Sequence, residues 1–374
     1  MTTLLSDKNV VVISDVLGQR GGAYRATSLL CQALRALGAN VTCFATYVES
    51  ESQEDFQSRS IRIVRPLLRR GYRWDWPNRT LAWQARRYIE NTRPCAVIVM
   101  GLTRLCGYLL ESPVAVQLLV WELTNADPGN KFVDKTAARL LSRCRTVLSP
   151  ALSIDQHIRA TYQYEGPIER LPFWIEPGNR DYQQPPEKFS CDFLFLSRRE
   201  DDKGLADLIR ACELLQRWEY RPQVVIAGGG RSDAYEQLAE ELGVRNLVRF
   251  VTLPSRSEAM EVLEKSRFVV LPSHHEGYPI SLLEAAQRSV PVIATRVGAI
   301  PCMMGDGGAC AYAAVRNPED LAKVLRGCLS LSKDEYCRRR RDAFHRFCVL
   351  NAAGSNLSRI LHISENTASV TGGT

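Results

Sequence analysis

The sequence has no long apolar run, no paired-cysteine motif and no zinc-type histidine spacing, and each gap removes a class of protein. Fully apolar runs such as VVVI at 10–13 and VPVIA at 290–294 are far too short to cross a bilayer as a helix. The opening MTTLLSDKNVVVIS lacks the basic head and long apolar middle of a secretory signal, so the chain is expected in the cytosol. The twelve cysteines are scattered with no CxxC pair among them, which argues for reduced thiols; Cys31 and Cys212 fall on apolar helix faces, where a thiol acts as a small hydrophobe. The five histidines form no HExxH or Cys/His set, leaving little basis for zinc. No GxGxxG follows an early strand, which disfavours a dinucleotide dehydrogenase. Low-complexity tracts are also missing, and 24% charged with 45% apolar residues is ordinary globular usage.

What is present is alternation. A length of 374 residues exceeds what one core usually supports, so two domains are expected. Short β-branched runs alternate with stretches of helical period, the pattern of parallel α/β construction. Strands are expected at 9–14, 39–48, 94–100, 113–120 and 145–150, with a helix after Gly22 whose stripe is Leu29, Leu30, Ala33, Leu34 and Leu37. The pattern stops over 174–190, a polar stretch with three prolines. It resumes with CDFLFLS (191–197), QVVIAG, VRFV, FVVLPS and PVIAT, each separated by a helical pattern. The organisation expected is a first domain over 1–175, a linker over 176–190, a second domain over 191–345, and a C-terminal helix and tail over 346–374 that crosses back to the first domain. Ligands in such a chain bind at the carboxyl ends of the strands, in a cleft between the two sheets.

The stretch HHEGYPISLLEAA (274–286) follows the strand FVVLPS. Its helix is expected to start near Pro279 or Ser281, with Ser281 able to cap it, and Gly277 lets backbone approach a ligand. Free amides at that helix start suit a phosphate, and Glu276 and Glu284 lie to either side. One ligand that wants both features is a nucleotide sugar, whose diphosphate takes amides and cations while its hydroxyls donate to carboxylates. The cations come from SRREDDKG (197–204), as Arg198 and Lys203, with Arg199 ranked lower because a neighbour in an extended loop points the other way.

These residues resemble the large family of retaining GT-B glycosyltransferases, the glycosyl transferases group 1 or family 4-like enzymes. The E-x7-E element is matched by Glu276 and Glu284, R-x4-K-G by Arg198, Lys203 and Gly204, the glycine-rich strand end by IAGGG (Gly228, Gly229, Gly230), and the opening double glycine by Gly21 and Gly22. The resemblance covers residues 9 to about 330 and is strongest over 192–300. It implies two Rossmann-like α/β domains facing across a deep cleft, and retaining transfer of a sugar, without metal or other cofactor, from a nucleotide-diphosphate donor. UDP is the first guess, and a glycan or lipid-linked molecule is the acceptor. Glu276 would take donor-sugar hydroxyls, Glu284 the ribose, and Arg198 with Lys203 the diphosphate. Amides of Tyr278, Ile280 and Ser281 would complete the cradle, to which Pro279 contributes no donor; Gly21, Gly22 and Gly229 would approach the donor.

Three departures alter turns or contacts: serine stands at 197 and 289 where many members have glycine, and Cys302 stands where they have glutamate. The family's first-domain histidine is replaced by Trp121, Glu122 and Leu123, so Trp121 and Glu122 are the candidates for the acceptor side. Two readings from other classes stay open: a nucleotide-sugar epimerase of the same plan, and a binding module without turnover.

Charge is uneven. Net charge is +7, yet Arg59 to Arg87 holds nine arginines against Asp75, interleaved with Tyr72, Trp74, Trp76 and Trp83. That composition suits an anionic membrane face, single-stranded nucleic acid, or a solvated and locally paired surface. With the resemblance, the segment flanks the acceptor, favouring peripheral attachment to the inner membrane face and no nucleic acid. RRRR at 338–341 is expected on a solvated helix face.

Overall fold

The structure, a computed structural model, describes residues 5–17, 22–67, 76–102, 118–121, 138–175, 181–252 and 255–352. The chain divides into two compact units between Phe173 and Trp174, and the second runs through Ala352.

In the first unit β1 (Asn9–Leu17), α1 (Gly22–Ala36), β2 (Asn40–Val48), α2 (Ser50–Ser58), β3 (Arg62–Val64), α3 (Trp76–Thr92), β4 (Ala96–Met100), β5 (Leu118–Trp121), β6 (Thr146–Ser149), α4 (Leu152–Tyr162) and β7 (Ile168–Arg170) follow in order. The strands form a parallel sheet ordered β3-β2-β1-β4-β5-β6-β7. Val10, Val11, Val12 and Ile13 are all buried, as a continuous apolar run must be when both sheet faces are covered. The helix expected after Gly22 forms, and Leu29, Leu30 and Leu34 enter the core. The three-residue edge strands β3 and β7 escaped the sequence reading, because RIV and IER are too short to show a period.

The second unit runs β8 (Cys191–Leu196), α5 (Leu205–Arg217), β9 (Val224–Ala227), α6 (Asp233–Glu241), β10 (Val248–Val251), α7 (Arg256–Glu264), β11 (Ser266–Leu271), α8 (Ile280–Gln287), β12 (Val292–Thr295), α9 (Ile300–Met304), β13 (Cys310–Ala313), α10 (Pro318–Leu329) and α11 (Lys333–Ala352). Its parallel sheet is ordered β10-β9-β8-β11-β12-β13, so the winding reverses between β8 and β11. Phe193, Phe195 and Phe268 join Leu208, Ile209, Cys212 and Leu215 of α5 in one core. Removing a ring such as Phe268, packed edge-on against Tyr336, costs about 3–5 kcal/mol.

Three expectations change. Residues 181–190 are not a free connector: the Gln183 amide donates to Ser289 Oγ (3.1 Å), and Arg340 donates to the carbonyls of Gln183 and Gln184. Arg340 is 1% exposed and also donates to the Arg288 carbonyl, so RRRR is not simply a solvated face. Ser289 has φ 59°, a conformation glycine adopts without strain, and its hydroxyl receives Gln183 there. Helix α11 is also unbroken through the boundary expected at 345/346, and it packs on α8 and α9 within the second unit. Of the segment 346–374 expected to cross back, residues 353–374 lie outside the described residues, as do 176–180.

The eleven described cysteines are all free thiols. Burial pushes the Cys212 thiol up to about 12, consistent with a small hydrophobe.

Candidate active site

The loops after β8 and β11 leave adjacent strands at the reversal point of the second sheet, where a doubly wound fold leaves room for a ligand. After β8 a single 3₁₀ turn (Asp201–Lys203) ends at Gly204, with φ 69°. A Cβ at Gly204 would lie 2.0 Å from the Pro272 carbonyl oxygen, so the two loops approach backbone to backbone. They are fastened again where the His274 amide donates to the Asp202 carbonyl (2.7 Å) and His274 Nε2 meets Asp207 Oδ2 (2.7 Å). From α6, the Tyr235 hydroxyl donates to Asp201 (2.8 Å).

This scaffold brings Lys203 and Glu276 together. Lys203 Nζ lies 3.1 Å from Glu276 Oε1, 3.2 Å from Asp202 Oδ2 and 3.3 Å from the His275 carbonyl. Their side chains are 11% and 8% exposed, so the pair is largely removed from water. Ser273 donates to the same Glu276 oxygen (2.8 Å), while the Thr295 hydroxyl donates to the Ser273 carbonyl (2.5 Å). The loop after β12 closes beneath: the Ala299 amide donates to the Gly277 carbonyl, and Gly298 has φ 54°. A Cβ at Gly298 would lie 1.9 Å from the Glu276 carbonyl oxygen.

Helix α8 starts at Ile280 with Pro279 as its N-cap, and no side chain caps it, so Ser281 does not play that part. Among the described residues, the amides of Ile280 and Ser281 meet no protein acceptor. Their N–H groups carry the positive end of the helix dipole. The Tyr278 ring is buried, and burial pushes its hydroxyl's pKa up, an effect the nearby Arg346 charge partly opposes. Tyr278 therefore contributes backbone to the loop while its side chain anchors it.

Glu284 does not join Lys203. Its Oε1 lies 2.6 Å from Nη1 of Arg256, at the start of α7. Arg198 also stands outside the cluster, its exposed guanidinium 2.6 Å from Glu200. Arg199 points elsewhere, donating to the carbonyls of Gly230 (3.2 Å) and Val251 (2.7 Å). A Cβ at Gly229 would meet nothing within 4 Å, whereas one at Gly228 would meet the Ser197 carbonyl.

In the first unit, Trp121 is fully buried and stacks on Phe173 (6.0 Å), so it packs a core rather than presenting a surface to an acceptor. Gly22 is the first residue of α1; Gly21 and Glu122 lie outside the described residues. Of the arginine-rich segment, Arg59 pairs with Asp55, Arg65 donates to Gln53, and Arg62 lies over Tyr88. Arg87 lies over the half-exposed Trp83 (5.2 Å). Residues 68–75, which include Tyr72 and Trp74, are outside the described set. No described helix is long and apolar enough to cross a membrane.

Sequence reasoning missed Arg256, Ser273, Thr295, Gly298 and the His274–Asp207 link. Only Arg256 left a trace: SRSE is a capping box, and arginine in a helix's first turn opposes the dipole unless an acid receives it.

Residues 183–343 match the family described as Glycosyl transferases group 1. A D-inositol 3-phosphate glycosyltransferase of Corynebacterium aurimucosum is 33% identical over 138 residues, 35% of this chain and 33% of that protein. The chain thus spans about a third of the length of the curated relatives it matches. Among solved structures, a glycosyltransferase from Rickettsia africae superposes with a TM-score of 0.79 at 15% identity, covering 98% of this chain and all of that one. HepE of Anabaena, solved in complex with UDP-glucose, gives 0.75 at 14% identity over 95% of this chain and 100% of its own. The two parallel-sheet α/β units are those of the GT-B fold, and the group 1 glycosyltransferase match lies on the second of them.

Proposed function

We propose that the protein is a retaining glycosyltransferase that moves a sugar from a nucleotide-diphosphate donor to a carbohydrate or lipid-linked acceptor. The observation that carries the proposal is the buried Lys203–Glu276 pair beside the open amides of Ile280 and Ser281, at the reversal point of the second sheet. An anion seated on those amides faces a cation, and a sugar beside it faces a carboxylate whose orientation Ser273 holds.

In this reading the C1–oxygen bond of the donor breaks as charge grows on the departing diphosphate. Lys203 and the helix amides stabilise that charge without reorganising, and each such donor is worth roughly 10² to 10³ in rate. Arg198 reaches the diphosphate by leaving Glu200, a rotation its exposure permits. The acceptor hydroxyl attacks the same face and passes its proton to the departing phosphate oxygen, so no metal is required. Glu276 orients the sugar hydroxyls. UDP as the donor nucleotide is supported by the likeness to a fold solved with UDP-glucose. The exposed Trp83–Arg87 pair supports a lipid-linked acceptor and an anionic membrane face, since an aromatic ring with an adjacent cation suits an interface.

The test is incubation with a panel of UDP-, GDP- and ADP-sugars and candidate glycan acceptors. Transfer releases free nucleotide and extends the acceptor. Conversion of the sugar without nucleotide release is epimerisation, and binding without either product is a module lacking turnover; both refute the proposal.

A further inference from the structure

We infer that Arg256 positions Glu284 for the donor ribose, an inference that rests on the nucleotide-sugar reading above. Glu284 lies in the second turn of α8 with its side chain 7% exposed, and a carboxylate removed from water needs a donor or a cation. That cation comes from a different element. Ser255 caps α7 by accepting from the Glu258 amide (3.2 Å), which fixes where the helix begins and holds Arg256 at its first position. A cation there opposes the helix dipole, a cost the contact with Glu284 offsets.

The contact uses one oxygen. Nη1 of Arg256 meets Oε1 at 2.6 Å, and among the described residues no donor meets Oε2. Holding Oε1 fixes rotation about the last bond of Glu284, so Oε2 presents its lone pairs in one direction as an acceptor for a ribose hydroxyl. The guanidinium also cancels the carboxylate's charge, so a diphosphate on the neighbouring amides is not repelled. Arg256 is itself 43% exposed, and its substitution removes little packing.

The experiment is calorimetric titration of the full chain with UDP, GDP, their 2′,3′-dideoxy counterparts and inorganic pyrophosphate. The parent chain is expected to bind one ribonucleotide about tenfold or more tighter than its dideoxy form, the value of one charge-assisted hydrogen bond. Arg256→Gln brings that ratio to within about threefold, by weakening the ribo form, and weakens pyrophosphate about tenfold or more, because the Glu284 charge is left without its cation; adding Glu284→Gln returns pyrophosphate affinity to within about twofold of the parent. Arg256→Lys, which keeps the charge but loses the planar fork, retains part of the ratio. Glu284→Gln collapses the ratio alone, and adding Arg256→Gln to it removes nothing more. A ratio retained in Arg256→Gln overturns the inference, as does a pyrophosphate affinity that stays low in Arg256→Gln/Glu284→Gln, which makes Arg256 a phosphate ligand. A parent chain that binds pyrophosphate but no nucleoside diphosphate overturns the nucleotide-sugar reading itself, so the two failures are distinguishable.

Discussion

Lys203→Ala tests the site and the fold together, and the structure separates the two effects. Lys203 and Glu276 form a pair 11% and 8% exposed, so deleting the ammonium leaves a carboxylate without its cation in a poorly hydrated place. Breaking a buried pair from one side costs about 3–5 kcal/mol. The lower end applies here, because Ser273 still donates to Glu276 and the site keeps some access to water. For a unit the size of Trp174–Ala352, a loss of about 3 kcal/mol lowers Tm by about 6–12 °C. On the proposed reading turnover falls separately, by roughly 10² or more, since a preorganised cation would no longer meet the departing diphosphate. The double variant Lys203→Met/Glu276→Gln resolves the two effects. With both charges gone, Tm returns to near the parent value, because a buried pair contributes little over neutral residues of similar shape. Turnover stays down. Scanning calorimetry and nucleotide release are the assays. Turnover in Lys203→Ala near the parent's removes Lys203 from the chemistry, and an unchanged Tm refutes the buried pair.

Gly298→Ala places a Cβ 1.9 Å from the Glu276 carbonyl oxygen and forces alanine to φ 54°, so donor affinity and stability should both fall, the latter by about 1–3 kcal/mol; Gly229→Ala, with nothing within 4 Å, should leave stability unchanged in the same melt. Arg340→Leu leaves the carbonyls of Gln183, Gln184 and Arg288 without their donor, and denaturant unfolding should show a loss of about 3 kcal/mol or more that Arg340→Lys recovers only in part. A thiol reagent at pH 8 should label the exposed Cys302 and Cys348 in the folded chain and spare Cys212 and Cys310, whose pKa values burial raises from 9.0 to about 12; labelling of those two before unfolding would contradict their placement. Because the folded values lie above the unfolded one, their contribution to stability is complete below pH 9 and is lost as pH rises toward 12, measurable as an alkaline fall in Tm.

The architecture was legible because buried parallel strands write themselves as apolar runs: VVVI, AVIVM and FVVL could be strands or short core helices, and their regular separation by helical stripes decided it. The elements that escaped, RIV and IER at the sheet edge and CAYA at β13, are held by pairing with the strand before them, a tertiary effect with no local period. The site divides in the same way. Glu276, Lys203 and the start of α8 were accessible because backbone amides and a spacing along one loop and helix carry them. Arg198 and Arg256 differ in where a long side chain reaches, and that depends on which acid the fold brings near: Glu200 took the first and Glu284 the second. Trp121 illustrates the same limit, since nothing in LLVWEL says which side of β5 meets Phe173.

The two carboxylates of the E-x7-E spacing are compatible with an anion for a reason the spacing cannot express. At an effective dielectric of about 20, a full negative charge about 5 Å from a phosphate costs about 3 kcal/mol. Two such charges would offset much of what the α8 amides and one lysine contribute. In this fold each acid has its own cation, supplied by a different loop: Lys203 from the turn after β8, Arg256 from the helix after β10. Each pair keeps a hydrogen-bonding carboxylate while cancelling its long-range field, so in the proposed site hydroxyls would still find acceptors and a diphosphate would meet little repulsion. In the proposed site the cations would therefore do more than attract phosphate: they would make the glutamates tolerable beside it.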